Sequence, residues 1–332
     1  MSPMPDFPWP SGAATGIGSL PGTDVAESLR IVLGELPDLP HLPELPDRGP
    51  GADMIGRGAG FLVELPVQLY AGRWQTASRP GTDLRRTADL LERDLDQLTE
   101  QADGYTGPLK VQAPGPWTLA ANLDLPIGGR MLRDPGAVRD LTDSLAEGLR
   151  RHVADIRKRV PGASVLLQLD EPSLPAVLAG HVATESGLSA YRKVDGPDAA
   201  THLRAVVETV GAPVVLHCCA PDLPLQVVRD AQAVAVALDL SLIKDLDPLG
   251  EAIEAGLGVF AGAAATSGAA RPDSKEIAER VRTLWQRLGF PAARLPQQVV
   301  ITPACGLAGA PAGYARALLK ACTEAGRRIA EV

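Results

Sequence analysis

The stretch Val214-Val215-Leu216-His217-Cys218-Cys219 joins a run of aliphatic, mostly β-branched residues to residue types that bind metals. Such a run is typical of a buried strand. Because side chains alternate between the two faces of a strand, His217 and Cys219 share one face and Cys218 takes the other. The chain has only four cysteines and five histidines. Their pairing here directs the search for a functional site to the end of this strand.

Two further apolar runs end in residues that suit the same site. Residues 233–238 lead into Asp239, and residues 299–302 lead shortly afterwards into Cys305. One imidazole, two thiolates and one carboxylate form a ligand set that zinc accepts. A buried cysteine is also common as a small apolar residue, and this alternative applies to each cysteine taken alone. The predicted zinc ligands are His217, Cys219, Asp239 and Cys305.

The rest of the chain alternates strand patterns with amphipathic helix patterns, without a break in composition. This alternation predicts an α/β fold, a (β/α)8 TIM barrel that forms a single domain over residues 1–332 with an irregular leader at 1–14. A first helix, capped by Thr23 and Asp24, is followed by helices over 84–103, 135–158, 196–210, 273–288 and 311–330. The predicted strands are 15–22 (breaking into a glycine turn), 60–66, 109–113, 164–169, 214–219, 233–238, 257–263 and 298–302.

A proline-rich stretch follows the first predicted helix. Prolines at positions 37, 40, 43, 46 and 50 interrupt every regular pattern between residues 36 and 58. The stretch is therefore predicted to be a long ordered loop over one end of the barrel, where such loops often act as lids.

Further site candidates follow from the barrel itself, in which active-site residues lie at the C-terminal ends of the strands. Backbone N–H groups around Gly18 and Ser19, in the turn after the first strand, can hold a carboxylate. Glu64 lies near the end of the second predicted strand. Asp170 ends the fourth and shares a face with Gln168. A solvated glutamate or a helix cap is the plain alternative for these acids.

Composition narrows the class of protein. A net charge of −8 without a run of Lys or Arg argues against nucleic acid or an anionic membrane as the main partner. No apolar run approaches the ~20 residues that cross a bilayer. Met1 to Asp6 lack the features of a signal peptide. A thiol-dependent metal site fits a reducing compartment, so a cytoplasmic enzyme is expected.

The predicted ligand set also favours one kind of chemistry. A sulfur-rich zinc ion generates hydroxide poorly, but it holds a substrate thiol as a reactive thiolate. Alkyl transfer to sulfur is therefore favoured over hydrolysis. A closed structural zinc site is the alternative, although structural sites usually staple short loops and these ligands come from three strands.

Five short motifs follow one another along the chain: Ile17-Gly18-Ser19, Gly115-Pro116-x-Thr118, Leu169-Asp170-Glu171-Pro172, His217-x-Cys219 and Cys305-Gly306-Leu307. In this order they resemble the C-terminal catalytic barrel of cobalamin-independent methionine synthase. The resemblance spans nearly the whole chain, whose length is similar to that of the short, single-barrel members.

The resemblance implies an S-methyltransferase similar to 5-methyltetrahydropteroyltriglutamate–homocysteine methyltransferase, with homocysteine as acceptor and methionine as product. It implies zinc held by His217, Cys219 and Cys305, with Asp239 at the place of a family glutamate. The carboxylate of the amino acid would lie at Ile17, Gly18 and Ser19. Its ammonium would lie at Glu64 and at Asp170, which is also the predicted catalytic residue.

The methyl donor stays open between methyl-folate and a methylated corrinoid protein. The family carries a histidine, thought to shuttle protons, in the segment corresponding to 258–267, and this chain has none there. Rival hypotheses are a corrinoid-dependent thiol methyltransferase with another acceptor and a barrel similar to uroporphyrinogen decarboxylase. A further rival is a noncatalytic barrel that binds zinc or an amino acid.

Overall fold

The computed structural model describes residues 6–268 and 271–331. Its main sheet has six parallel strands in sequential order, each followed by helical segments on the outer side. The strands are β3 Gly107–Pro114, β4 Ala163–Asp170, β5 Val214–Cys218, β6 Ala235–Asp239, β7 Gly258–Ala264 and β8 Val299–Pro303, after a separate antiparallel hairpin of β1 Val67–Tyr70 and β2 Arg73–Thr76.

Twelve α-helices are found within the described residues. The longer ones follow the predicted pattern closely, because each presents one apolar face to the sheet. Their bounds are α1 Val25–Glu35, α2 Met54–Phe61, α3 Thr82–Gln101, α4 Pro116–Asn122, α5 Pro135–Arg159, α6 Leu174–Ala179, α7 Gly196–Val210, α8 Leu225–Asp230, α9 Asp247–Glu254, α10 Ser274–Arg287, α11 Leu295–Gln298 and α12 Ala312–Ala330.

Two extended segments lie at the edges of this sheet. The N-terminal segment, residues 13–20, pairs with β8, where Thr15 N donates to Ile301 O at 3.0 Å. The proline-rich segment, residues 40–44, pairs with β3 through Leu42 N and Lys110 O at 3.0 Å. The two segments also pair with each other, since Glu44 N donates to the Gly18 carbonyl at 3.1 Å.

The predicted strand at 60–66 is wrong. Helix α2 occupies Met54–Phe61, and Asp53 caps it by accepting a hydrogen bond from Gly56 N at 2.9 Å. Close packing explains the glycines of this helix, since a Cβ added at Gly58 would stand 2.3 Å from the Pro114 ring. The element beside β3 is instead the proline-rich segment. The predicted loop at 36–58 is confirmed in part, since residues 36–53 hold only isolated bridges and the 3-10 turn Pro46–Arg48, but residues 54–58 belong to α2.

The core has two parts that meet at the sheet. Most buried side chains lie between the sheet and the helices. A smaller apolar cluster fills the inner side at the end of the sheet opposite the predicted site, and it contains Trp9, Ala13, Leu39, Leu166, Val215, Ala235, Ala237, Phe260 and Val300.

The helices and the N-terminus bear on the expectations about membrane spans and a signal peptide. Among residues 6–268 and 271–331, none of the helices has the length and apolar character needed to span a bilayer. Residues 1–5, which begin the expected leader and were considered for a signal peptide, lie outside the described residues.

Candidate metal and substrate site

Three predicted metal ligands come together at the C-terminal end of the sheet. His217 lies on β5, Cys219 directly follows β5, and Cys305 follows β8. Their ligand atoms all lie within 4.8 Å of one another. The Sγ atoms of Cys219 and Cys305 are 2.7 Å apart. Cys218 is buried on the other face of the strand, as alternation predicts, and bonds the Ala220 carbonyl.

The imidazole of His217 is oriented for a ligand. Its Nδ1 lies 2.6 Å from Oδ1 of Asp170, which stands opposite it on β4. Its Nε2 is buried and has no hydrogen-bond partner among the described residues. A histidine that bonds a carboxylate through one nitrogen and leaves the other free has the usual arrangement of a metal ligand. The chemistry of these donors therefore fits zinc.

The thiol groups of Cys219 and Cys305 are hydrogen-bonded to each other. A hydrogen bond from Cys219 lowers the pKa of Cys305 to about 6 against the effect of burial, and the same bond raises the pKa of Cys219. A thiolate is thus favoured at Cys305 even without a cation. This arrangement suits a soft cation, because thiolate is the form that binds metal.

A cavity of about 230 Å³ opens onto the three ligands. Ser19 lies on its wall and approaches Gly306 so closely that a Cβ there would stand 2.1 Å from Ser19 Oγ. Cys305-Gly306-Leu307 and the N-terminal segment are also joined by the bond from Leu307 N to the Ser19 carbonyl at 2.8 Å. The cavity is lined by Ile17, Ser19, Glu44, Pro46, Ala52, Met54, Asp170, Pro172, His217, Cys219, Cys305 and Gly306.

The second acid of the cavity is Glu44, which the sequence analysis missed. Glu44 is 8% exposed, and its Oε1 accepts a hydrogen bond from Arg57 Nε at 3.2 Å. Burial raises its pKa, while the Arg57 charge opposes this shift. Glu64, the predicted acid, is exposed in a bend after α2 with φ of +56° and does not line the cavity.

Asp239 lies outside the ligand cluster. It ends β6, and its Oδ1 accepts hydrogen bonds from Ser241 N at 2.8 Å and Ser241 Oγ at 2.7 Å. The carboxylate thus caps the short 3-10 turn Leu240–Leu242. Among the described residues, the group of close ligand atoms holds His217, Cys219 and Cys305 without it.

Glu171 is a buried acid that holds the start of helix α4 beside the site. It accepts hydrogen bonds from the backbone N–H groups of Trp117 at 3.0 Å and Thr118 at 2.7 Å. Burial raises its pKa to about 7. Gly115 lies so close that a Cβ would stand 2.3 Å from the Glu171 carboxylate. Two of the five motifs are therefore joined here, and Asp170 alone of the acid pair lines the cavity.

Comparison with known proteins identifies the family of the chain. A family model described as "Cobalamin-independent synthase, Catalytic domain" matches residues 13–328. The chain belongs to this family. Membership of this synthase family supports methyl transfer as the activity. None of the curated proteins compared matches the chain.

Solved structures agree on the fold. A B12-independent methionine synthase from Shewanella sp. W3-18-1, in complex with selenomethionine, superposes with a TM-score of 0.63 and 12% identity, covering 97% of this chain and 98% of that one. A methyltransferase from Methanosarcina mazei superposes with a TM-score of 0.52 and 14% identity, covering 97% and 95%. At 12% and 14% identity, these superpositions show that the two proteins share the fold of this chain.

Proposed function

We propose that the protein is a zinc-dependent methyltransferase that transfers a methyl group to the thiol of homocysteine and forms methionine. The observation that carries this proposal is the cluster of His217, Cys219 and Cys305 at one end of a small cavity with two buried acids. Membership of the synthase family supports the same activity.

The ligand assignment rests on the donors themselves. We assign zinc to His217 Nε2 and to the thiolates of Cys219 and Cys305. Bound zinc supplies one effect, which is to lower the pKa of a substrate thiol so that it is a thiolate near neutral pH. Asp239 stays a proposed fourth ligand of the thiol-free state, and it would have to exchange its bonds to Ser241 for one to the metal.

The cavity has groups for both ends of an amino acid. We assign the substrate carboxylate to Ser19 and the backbone at Ile17 and Gly18. The ammonium is assigned to Asp170 and Glu44, and Glu44 takes the role that the sequence suggested for Glu64. Hydrogen bonds within the described residues engage Oδ1 of Asp170, which leaves Oδ2 for the substrate. These contacts fix the homocysteine sulfur near the two cysteines.

Methyl transfer then needs alignment of the two reactants. The substrate sulfur forms a bond to the methyl carbon while the bond from that carbon to the donor breaks, and the donor keeps the electron pair of that bond. A methyl-folate donor must also take up a proton at the leaving nitrogen. Holding two reactants in line contributes several kcal/mol to such a step. Asp170 keeps the imidazole of His217 fixed during transfer and is in this sense the central acid of the site.

The cavity argues against the decarboxylase alternative. A site for a large polyanion needs basic side chains, and the residues that line this cavity include no lysine or arginine. The cavity of about 230 Å³ also suits a small amino acid better than a tetrapyrrole.

We further propose that the sheet closes into a single-domain (β/α)8 barrel over the whole chain. The N-terminal and proline-rich segments supply the two missing members between β8 and β3, since each bonds both of its neighbours. Closure places Ser19 and Glu44 at the same rim as His217. The thiolate site further suits a reducing compartment, so we propose the cytoplasm.

The test is a methyl-transfer assay on zinc-loaded protein with homocysteine, comparing methyl-folate and methylcobalamin side by side. Methionine formed from either donor supports the proposal and identifies the donor class. Stoichiometric zinc and homocysteine binding without turnover from either donor would instead favour a noncatalytic binding protein.

A further inference from the structure

Lys110 is a buried cation directly behind the site. Its side chain is 0% exposed, and Nζ donates to three carbonyl oxygens: Ile17 O at 2.9 Å, Gln112 Oε1 at 3.1 Å and Gln168 Oε1 at 2.8 Å. Only an ammonium has three N–H groups for three acceptors. Burial lowers the pKa of Lys110 to about 7, opposed by the charges of Asp170 and Glu44. A buried charge is costly, so its presence calls for a role.

One branch of this network runs to His217. Because an ammonium only donates, Oε1 of Gln168 must face Lys110, and its Nε2 must face the other way. Nε2 donates to Asp170 Oδ1 at 2.7 Å and to the Ile17 carbonyl at 2.8 Å. Asp170 is thereby kept as an acceptor.

The consequence appears at the imidazole. With Asp170 as acceptor, Nδ1 of His217 must carry the proton across their 2.6 Å contact. Its Nε2 then holds a free lone pair toward Cys219 and Cys305. If Gln168 were flipped, its carbonyl oxygen would face the Asp170 carboxylate, and two acceptors would meet without a hydrogen between them.

The other branch holds the substrate segments. Lys110 and Gln168 both donate to the Ile17 carbonyl, one residue before Gly18 and two before Ser19. Gln112, which accepts from Lys110, donates to the Leu42 carbonyl, two residues before Glu44. A single ammonium thus ties together two segments of the cavity wall.

We propose that Lys110 is a positioning residue that sets the tautomer of His217 through Gln168 and Asp170 and holds the Ile17 and Glu44 segments in place. This inference rests on the proposed function, because the zinc ion for which His217 Nε2 is kept free belongs to that proposal. Lys110 hydrogen-bonds none of the assigned metal ligands. It bonds the Ile17 carbonyl and the side chains of Gln112 and Gln168, so its effect on the metal passes through other residues.

The test is ¹⁵N NMR of the histidine imidazoles in metal-free protein followed over about pH 6–8. The His217 signals are assigned by His217→Gln, and the tautomer is read on the acidic side of the Lys110 pKa, where the ammonium is present. We expect wild-type His217 to be a single tautomer protonated at Nδ1. Lys110→Met removes the donors at similar length. We expect a mixture of tautomers, and zinc affinity should fall in proportion to the fraction of molecules with Nε2 protonated, roughly two- to tenfold.

Gln112→Leu is the matched control. It also removes a partner of Lys110, but it lies off the path to Asp170, so the tautomer and the zinc affinity should stay at wild-type values. If Lys110→Met fails to fold, Gln168→Leu breaks the same path with the lysine in place and should give the same mixture.

A wild-type tautomer and zinc affinity in a folded Lys110→Met or Gln168→Leu protein would overturn the inference. The tautomer is measured without metal, substrate or donor. It therefore decides the role of Lys110 even if methyl transfer to homocysteine is not observed, and the two proposals fail separately.

Discussion

The Sγ atoms of Cys219 and Cys305 lie 2.7 Å apart, although 86 residues separate them in the chain. The distance exceeds the ~2.05 Å of a disulfide, so the two thiols are in contact without being bonded. Two zinc bonds of ~2.3 Å in a tetrahedral site place the sulfur atoms about 3.8 Å apart, so zinc binding would move this pair apart by about 1 Å. The fold therefore brings the thiols to one place, where His217 completes a three-ligand cluster.

The cysteine pair gives the first prediction. Cys219→Ser and Cys305→Ser each remove one thiolate, so we expect bound zinc to fall well below one equivalent after dialysis against a chelator. Cys218→Ser is the control, because this neighbour faces away from the cluster. Full zinc occupancy in both Cys219→Ser and Cys305→Ser, measured by elemental analysis, would rule out the assigned ligands.

The second prediction separates two glutamates. Glu44→Gln removes a charge from the cavity, and a lost hydrogen bond to a charged group costs ~1.5–3 kcal/mol. Homocysteine binding, measured by calorimetry, should weaken by roughly 10–100-fold. Glu64→Gln changes an exposed residue outside the cavity and should bind as the wild type does. An equal change of homocysteine affinity in Glu44→Gln and Glu64→Gln would show that Glu44 does not bind the substrate.

The third prediction concerns the contact of Gly306 with Ser19. In Gly306→Ala the new Cβ would overlap Ser19 Oγ at 2.1 Å, so the two segments must separate. We expect weaker homocysteine binding, roughly tenfold, if one polar contact to the substrate is lost. Gly309→Ala in the same loop has no heavy atom within 4 Å of the added Cβ and is the control. Unchanged binding in Gly306→Ala would show that Ser19 does not hold the substrate.

The fourth prediction concerns pH and stability. Burial and the charge of Arg57 lower the pKa of His152 from 6.5 to about 3. The unfolded chain takes up this proton as the pH falls below 6.5, and the folded protein does not, so His152 costs stability on acidification. Between these values the wild type should lose ~1.4 kcal/mol per pH unit more than His152→Leu in urea unfolding.

The control for this comparison is the exposed His181. Its imidazole lies in solvent in the folded protein as well, so His181→Asn should follow the pH dependence of the wild type. Parallel stability curves for the wild type and His152→Leu would show that His152 is protonated equally in both states.

Much of the fold could be predicted from the sequence because the six central strands are buried on both faces. Such strands are mostly apolar runs. In β3 and β4 the runs are interrupted by Lys110 and Gln168, and two of the six strands end in an acid, at Asp170 and Asp239. Helices that pack one face on the sheet were equally clear, and α7 begins and ends at the predicted residues. The same features placed His217 and Cys219 on one face of β5.

The proline-rich segment could not be predicted in this way, and Glu44 was missed with it. Prolines lack an N–H group and argue against a strand. Here the remaining N–H groups of Leu42 and Glu44, two residues apart, are the ones that pair with the neighbouring segments. The sequence feature that could have indicated this pairing is the position of the prolines, since Pro40, Pro43 and Pro46 leave the N–H groups of residues 42 and 44 available. In α2 the close packing of glycines, a tertiary effect, outweighed their poor helix propensity.

The most direct test is X-ray absorption at the zinc K-edge of zinc-loaded protein, with and without homocysteine. We predict two sulfur ligands at ~2.3 Å without the substrate and a third at a similar distance when homocysteine is bound. A sulfur count that stays the same on adding homocysteine, or zinc bound without sulfur, would contradict the account.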